Sequence, residues 1–272
     1  MDLGIRVLRA FDPNRIEPDR IGDFTKWWDP NKINWFTESG ALAQYFPQYF
    51  DIWWDPEKYN WKAASRELAQ SCCEHFHKWW DPEKFDWARG SRYLAQHCSK
   101  HFDIWWDPER FNWEASWTLA LHCSECFHKW WDPERFNWVE GSGYLAQYCN
   151  KYFDIWWDPE KYDWGHYSWA LAKHCSEYFD RWWDSKKYNW RDASYELIEY
   201  CCKHFHKWWE PSHIALDVTA VEKLIDCCEQ YCDKWLPVVL SKVRTIAKVA
   251  AFVLDRVDDV RRTLLKETLQ RR

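Results

Sequence analysis

The chain has 272 residues, 47% hydrophobic and 20% aromatic, with 26 tryptophans and a net charge of −6. That is ample apolar mass for a core, while an acidic balance with both signs interspersed disfavours a dominant phosphate-binding surface and hence nucleic acid. Met1 to Ala10 lacks a secretory apolar region, and no uncharged apolar run of about 18 residues marks a membrane span.

The most apolar stretch, Pro237 to Val257, is interrupted by Lys242, Arg244, Lys248 and Asp255. Seven glycines and one methionine leave no Gly/Ser linker and no low-complexity tail. Twelve cysteines without a leader segment fit the reducing cytosol, so a cytoplasmic location is expected.

Residues 1–26 lack the motif that dominates the chain, but Phe11-Asp12-Pro13 echoes it, and they are read as an N-terminal cap. A Trp-Trp doublet then recurs at Trp27, Trp53, Trp79, Trp105, Trp130, Trp156, Trp182 and Trp208, each followed by a second Trp. Every spacing is 26 residues except one of 25, where a residue is missing between Trp113 and Ser116. A fixed period of this size is the signature of stacked units that bury together what one cannot bury alone. The prediction is an all-α, right-handed α-solenoid of about seven 26-residue repeats, each a short helical turn plus a long helix. The repeats occupy residues 27–207, a degenerate eighth 208–236, and an amphipathic C-terminal capping helix 237–272.

Each repeat carries two helix starts. Asp-Pro after the doublet, as at Asp55-Pro56, offers an N-cap oxygen and a first position where proline's missing N–H is not needed. A second cap follows at Asn34, Asn60, Asp86, Asn112, Asn137, Asp163 and Asn189. Only one short turn fits between the two. The long helix of the second repeat is expected from about Trp61 to about Trp80, because Trp61, Ser65, Leu68, Ala69, Cys72, Phe76 and Trp79 form one stripe at helical spacing. Pro47 is expected to kink the corresponding helix of the first repeat.

The stripe recurs as rungs: Ser39 to Ser194, Leu42 to Leu197, with small Ala after each Leu from Leu42 to Leu171. The tryptophans are read as rungs of the same inter-repeat core; a carbohydrate platform would need exposed faces. Before the doublet, Asp51-Ile52 alternates with His77-Lys78 and Asp103-Ile104 with His128-Lys129. Gly90-Ser91 and Gly141-Ser142 alternate similarly, so a two-repeat unit is duplicated. Stacking in register predicts Asp–His contacts between neighbouring rungs, Asp51 with His77 among them.

A cysteine rung runs from Cys72 to Cys228. Helices about 8–10 Å apart are too far for a disulfide ladder, which needs Cα atoms within about 7 Å; the thiols are read as small hydrophobes. The metal-binding alternative is His97, Cys98, His101, His122, Cys123 and Cys126, where i, i+3 pairs on adjacent helices could supply zinc with four ligands. The histidine position is tyrosine in other repeats, which points to aromatic bulk instead.

No phosphate-cradling loop, nucleophile elbow or His-Glu-x-x-His helix is present, and residues that repeat are poor catalytic candidates, so no enzymatic activity is expected. What varies against the constant frame is a strip on the first turns of the long helices: Arg66, Arg92, Tyr93, Trp117, Tyr144, Tyr167, Trp169 and Tyr195. Tyr, Trp and Arg anchor protein interfaces. The expected function is a scaffold for a protein or peptide partner. The rivals are one-unit-per-repeat nucleic-acid reading and end-to-end self-assembly into filaments.

Overall fold

The computed structural model describes residues 24–243, and among these it is helical with no strand. Most of the expected N-terminal cap, and the capping helix beyond Val243, lie outside the described residues. The chain divides into two compact units, Met1–Tyr148 and Cys149–Arg272. In the first, helices α1 (Trp35–Tyr45), α2 (Trp61–Ser71), α3 (Trp87–His97), α4 (Trp117–His122) and α5 (Trp138–Tyr148) stack in sequence order, each against the next. In the second, α6 (Trp164–His174), α7 (Trp190–Tyr200) and α8 (Val218–Cys227) stack likewise, followed by α9 (Cys232–Val243). Each unit is a tandem-repeat α-solenoid stack.

The expected single long helix is broken. In the second repeat α2 ends at Ser71, Cys73–His75 forms a 3₁₀ turn, and Phe76–Trp79 forms one further α-turn. Cys72 stands at the break with φ −113° and ψ 24°, outside the helical region. The cause is a buried indole. Trp79 is 1% exposed, its N–H needs an acceptor, and ending the helix frees the Cys72 carbonyl, which accepts from Trp79 Nε1 at 2.8 Å. The bond recurs from Trp53 to Phe46, Trp105 to Cys98, Trp130 to Cys123, Trp156 to Cys149, Trp182 to Cys175 and Trp208 to Cys201. The degenerate repeat keeps it, from Trp235 to Cys228 at 2.9 Å. Pro47 therefore does not kink a helix: α1 stops at Tyr45, and Pro47 opens the 3₁₀ turn, where its missing N–H is harmless.

Successive repeats are joined through the serine and cysteine rungs. Ser65 Oγ donates to the Trp61 carbonyl in its own helix at 2.5 Å and accepts the Asp86 N–H of the next repeat at 3.0 Å. Ser39–Asn60, Ser91–Asn112, Ser116–Asn137 and Ser168–Asn189 repeat the link. The Asn60 side chain caps α2 by accepting from Ala63 N–H at 3.2 Å while donating back to the Phe36 carbonyl at 2.7 Å. Cys72, Cys98, Cys123, Cys201 and Cys228 point their thiols at a carbonyl of the preceding long helix, at 3.3 to 3.7 Å. All twelve cysteines are free. Burial pushes the Cys72, Cys123 and Cys201 thiols up to about 12.

The tryptophans divide by position. From Trp53 to Trp208 the first of each doublet is buried, as above. The second stacks on the phenylalanine four residues earlier, Trp54 on Phe50 at 5.0 Å and 20°. The next repeat covers the other face of that ring, His75 on Phe50 at 4.6 Å and 7°. His101, Tyr178, His204 and Tyr231 cover Phe76, Phe153, Phe179 and Phe205 in the same way. The tryptophan at the second cap donates its indole N–H to a carbonyl of the preceding turn, Trp61 to Pro56 at 2.9 Å and, where serine replaces proline, Trp190 to Ser185 at 2.9 Å.

The alternation of Asp and His has a different partner from the one expected. The cation opposite Asp51 is Lys78, at 2.6 Å, and opposite Asp103 it is Lys129, also at 2.6 Å. His77 meets the edge of His101 instead, with ring centroids 4.9 Å apart. Lysine has the reach to span neighbouring rungs, whereas the shorter imidazole is held among rings.

Candidate functional site

Four of the strip residues converge. Arg66 from α2, Arg92 and Tyr93 from α3, and Trp117 from α4 line one open cleft of about 440 Å³, together with Ala88, Arg89, Asn112, Glu114 and Ala115. The deletion in the fourth repeat shapes its far wall. With one residue fewer, the helix opens as a 3₁₀ turn over Trp113–Ala115, and α4 starts only at Trp117. Ser116 still accepts from Asn137 N–H at 2.8 Å, so the rung holds while the turn before it is re-formed.

The cleft is organised by local contacts. Arg92 Nη2 donates to Tyr93 Oη at 2.6 Å, and its guanidinium carbon sits 4.6 Å over the same ring. Arg66 Nε donates to Glu67 Oε1 at 2.6 Å. Trp117 carries the surface onward: its ring lies 5.2 Å from that of Tyr144 on α5, inclined at 32°. Tyr144 in turn is 6.3 Å from Tyr148. Arg66 and Arg92 are exposed, and Tyr93, Trp117 and Tyr144 are half-buried. Half-burial fixes the rings in place and leaves faces to offer.

The strip residues of the second unit make other contacts. The Tyr195 hydroxyl donates to Asp217 Oδ2 at 2.5 Å, a bond that pushes its pKa up to about 12. Trp169 lies 6.2 Å from His174. Tyr167 serves through its backbone carbonyl, which accepts from Tyr162 Oη at 2.9 Å.

A second depression, of about 330 Å³, lies between α1 and α2 and is lined by Phe36, Gly40, Gln44, Tyr45 and Glu67 among others. Gly40 leaves open the place that Arg66, Arg92 and Trp117 fill in later repeats. Phe36 on its rim is 79% exposed, and Glu67 Oε2 is buried without a partner.

The metal candidates are otherwise occupied. Cys98 is buried with its thiol on the Ala69 carbonyl, and His101 stacks on Phe76. His97 lies 6.3 Å from Tyr93, near parallel to it. Cys123 bonds the Ala95 carbonyl. His122 and Cys126 are half-buried, each with its pKa moved toward the uncharged form by burial. Among the described residues no three His, Cys, Asp or Glu side chains converge as a metal site.

The sequence strip omitted Arg89, Asn112, Glu114, Phe36 and Glu67. Arg89 was findable, being three residues before Arg92 and so on the same helix face. Asn112 and Glu114 were hidden by their cap role and by the deletion. No family model, curated protein or solved structure matches the chain. No helix among the described residues is long and apolar enough to cross a membrane.

Proposed function

We propose that the chain is a non-catalytic scaffold that binds a protein or peptide through the strip on its long helices, centred on the cleft between α2, α3 and α4. The observation that carries the reading is the convergence of Arg66, Arg92, Tyr93 and Trp117 on one cleft, extended by the Trp117–Tyr144 pair. These residues differ from repeat to repeat, while the serine, leucine and cysteine rungs beneath them are held constant by packing. A surface crossing consecutive helices about 8–10 Å apart suits an extended segment better than a compact small molecule. Aromatic rings and guanidinium groups there give large contact area at modest entropy cost.

The test is selection of peptides from a display library on the full chain, followed by affinity measurement on Trp117→Ala and Tyr144→Ala proteins whose circular dichroism matches the parent. Loss of at least about tenfold in affinity is expected, the usual scale for truncating an interface anchor. Affinity unchanged in both folded variants overturns the reading.

A further inference from the structure

We infer that the α2–α4 cleft is an anion subsite, which takes a carboxylate or phosphate group on a bound peptide and packs an adjacent aromatic or apolar residue of that peptide against Trp117. The inference rests on the peptide-binding reading of the strip and names the chemistry it would select.

Charge sets the cleft apart. The chain is acidic overall, and along its repeats cations are neutralised by an acid of the preceding repeat: Lys78 by Asp51, Lys84 by Glu57, Arg110 by Glu83 and Lys129 by Asp103. The cleft departs from that pattern. Arg66, Arg89 and Arg92 line it against a single lining acid, Glu114. Arg66 engages Glu67 through Nε alone. Arg89 Nε is 3.9 Å from Asp86, at the limit of an ion pair, and its Nη1 contacts the Lys62 carbonyl at 3.4 Å. Among the described residues Arg92 pairs with no carboxylate; its contacts are to Tyr93.

Three guanidinium groups around one cleft repel each other, and a bound anion relieves that repulsion. The guanidinium fork matches the paired oxygens of a carboxylate or phosphate. Tyr93 adds preorganisation: it holds Arg92 by one nitrogen and by its ring face, so less side-chain entropy remains to be lost when an anion docks. Trp117 lines the same cleft and supplies an apolar surface next to the charged group. The pairing of fork and indole therefore asks for an anionic side chain with a ring or branched apolar neighbour.

The experiment uses the full chain and three fluorescein-labelled peptides, Gly-Leu-X-Phe-Gly-Ser with X as Glu, phosphoserine or Gln, followed by anisotropy over a salt series. An anionic peptide is expected to bind at least about tenfold more tightly than the Gln peptide, with the gap closing as salt rises. Whether Glu or phosphoserine leads tells which oxygen group the site prefers. Arg92→Gln should erase the gap, Arg92→Lys should restore part of it, and Lys186→Gln, an exposed change in the other unit, should leave it intact. Equal binding of all three peptides, or a gap that survives in folded Arg92→Gln and Arg89→Gln proteins, overturns the inference. Peptide capture that needs Trp117 but is indifferent to Arg92 removes the anion subsite and leaves the scaffold reading standing. Anion selectivity through Arg92 alongside library peptides indifferent to Trp117 and Tyr144 does the reverse.

Discussion

The indole N–H of Trp79 donates to the carbonyl of Cys72 at 2.8 Å, and this one bond ends a helix, buries a ring and fixes where the next turn begins. Its removal should be costly. Trp79→Phe removes one of the two hydrogen bonds that the Cys72 carbonyl accepts, leaving the one from His75 N–H at 2.9 Å, and opens a void where the larger ring was, an expected loss of about 2–3 kcal/mol. Trp80→Phe keeps a ring on Phe76 and orphans no carbonyl, so about 1 kcal/mol or less is expected. Urea denaturation of the two variants checks the contrast; equal losses would show that the bond is not what holds the break.

The serine rung makes a second prediction. Ser65 Oγ is both donor to the Trp61 carbonyl and acceptor from the Asp86 N–H, and it is 1% exposed. Ser65→Ala leaves that amide buried and unpaired, at about 1–3 kcal/mol. Hydrogen exchange at the Asp86 amide should accelerate by about tenfold or more, while amides of α5 change little, because neighbours in a repeat stack are coupled most strongly. Uniform acceleration throughout the first unit would contradict a local link.

Much of this was legible in the sequence because periodicity reports what a stack repeats. The register of Trp-Trp, the Asn60 and Asp86 caps and the Ser65 and Leu68 rungs are all where spacing puts them. The helix break was not legible. Cys72 is an ordinary helix residue by propensity, and the bond that stops the helix comes from a ring seven residues later. Pro47 was the single local sign, and its meaning was positional: it marks the residue after the break. The Asp–Lys ladder was missed for a related reason, since adjacent residues His77 and Lys78 leave a helical turn in different directions and only one meets Asp51. In the candidate site, Arg66, Arg92, Tyr93 and Trp117 were found as variation, but their convergence depends on the shortened fourth repeat.

Buried thiols set the response to alkali. In the folded chain Cys72, Cys123 and Cys201 are pushed by burial from the ordinary 9.0 up to about 12. Burial likewise raises Tyr59 and Tyr188 well above 10.0. Between these values the unfolded chain has released protons that the folded chain still holds, so the unfolded state binds fewer and stability falls as pH rises. Stability should therefore be level between about pH 7 and 8 and decline through pH 9 to 11, with Cys72→Ala flattening the decline. Denaturation midpoints across that range test it. Alkylation is a companion measure: Cys73 is lowered by the thiol of Cys98 and should react with iodoacetamide before the rung thiols do.

Gly-Ser appears in only some repeats because of the ring that packs beneath it. A Cβ on Gly90 would lie 2.3 Å from Phe85 Cζ, and one on Gly141 2.3 Å from Phe136 Cζ. Where the ring is tyrosine, the matching residue carries a side chain, and the ring hydroxyl bonds its carbonyl: Tyr59 to Ala64 at 2.8 Å and Tyr188 to Ala193 at 2.6 Å. Phenylalanine has no hydroxyl to hold at that carbonyl, and its ring tip occupies the space of the absent Cβ. The two positions thus form a pair: Phe85 and Phe136 stand with glycine, whereas Tyr59, Tyr162 and Tyr188 stand with a residue that has a side chain, Ala64, Tyr167 and Ala193. Gly90→Ala alone should cost about 1–3 kcal/mol through overpacking, despite the gain in helix propensity. Phe85→Tyr alone should also destabilise, since its hydroxyl draws the ring tip back to the Gly90 carbonyl and leaves a methyl-sized gap, at about 1 kcal/mol. The double variant reproduces the Tyr59–Ala64 arrangement and should recover most of both losses, a coupling of about 1 kcal/mol or more in a double-mutant cycle. Strictly additive losses would mean that ring and glycine vary independently, and that the alternation has another origin.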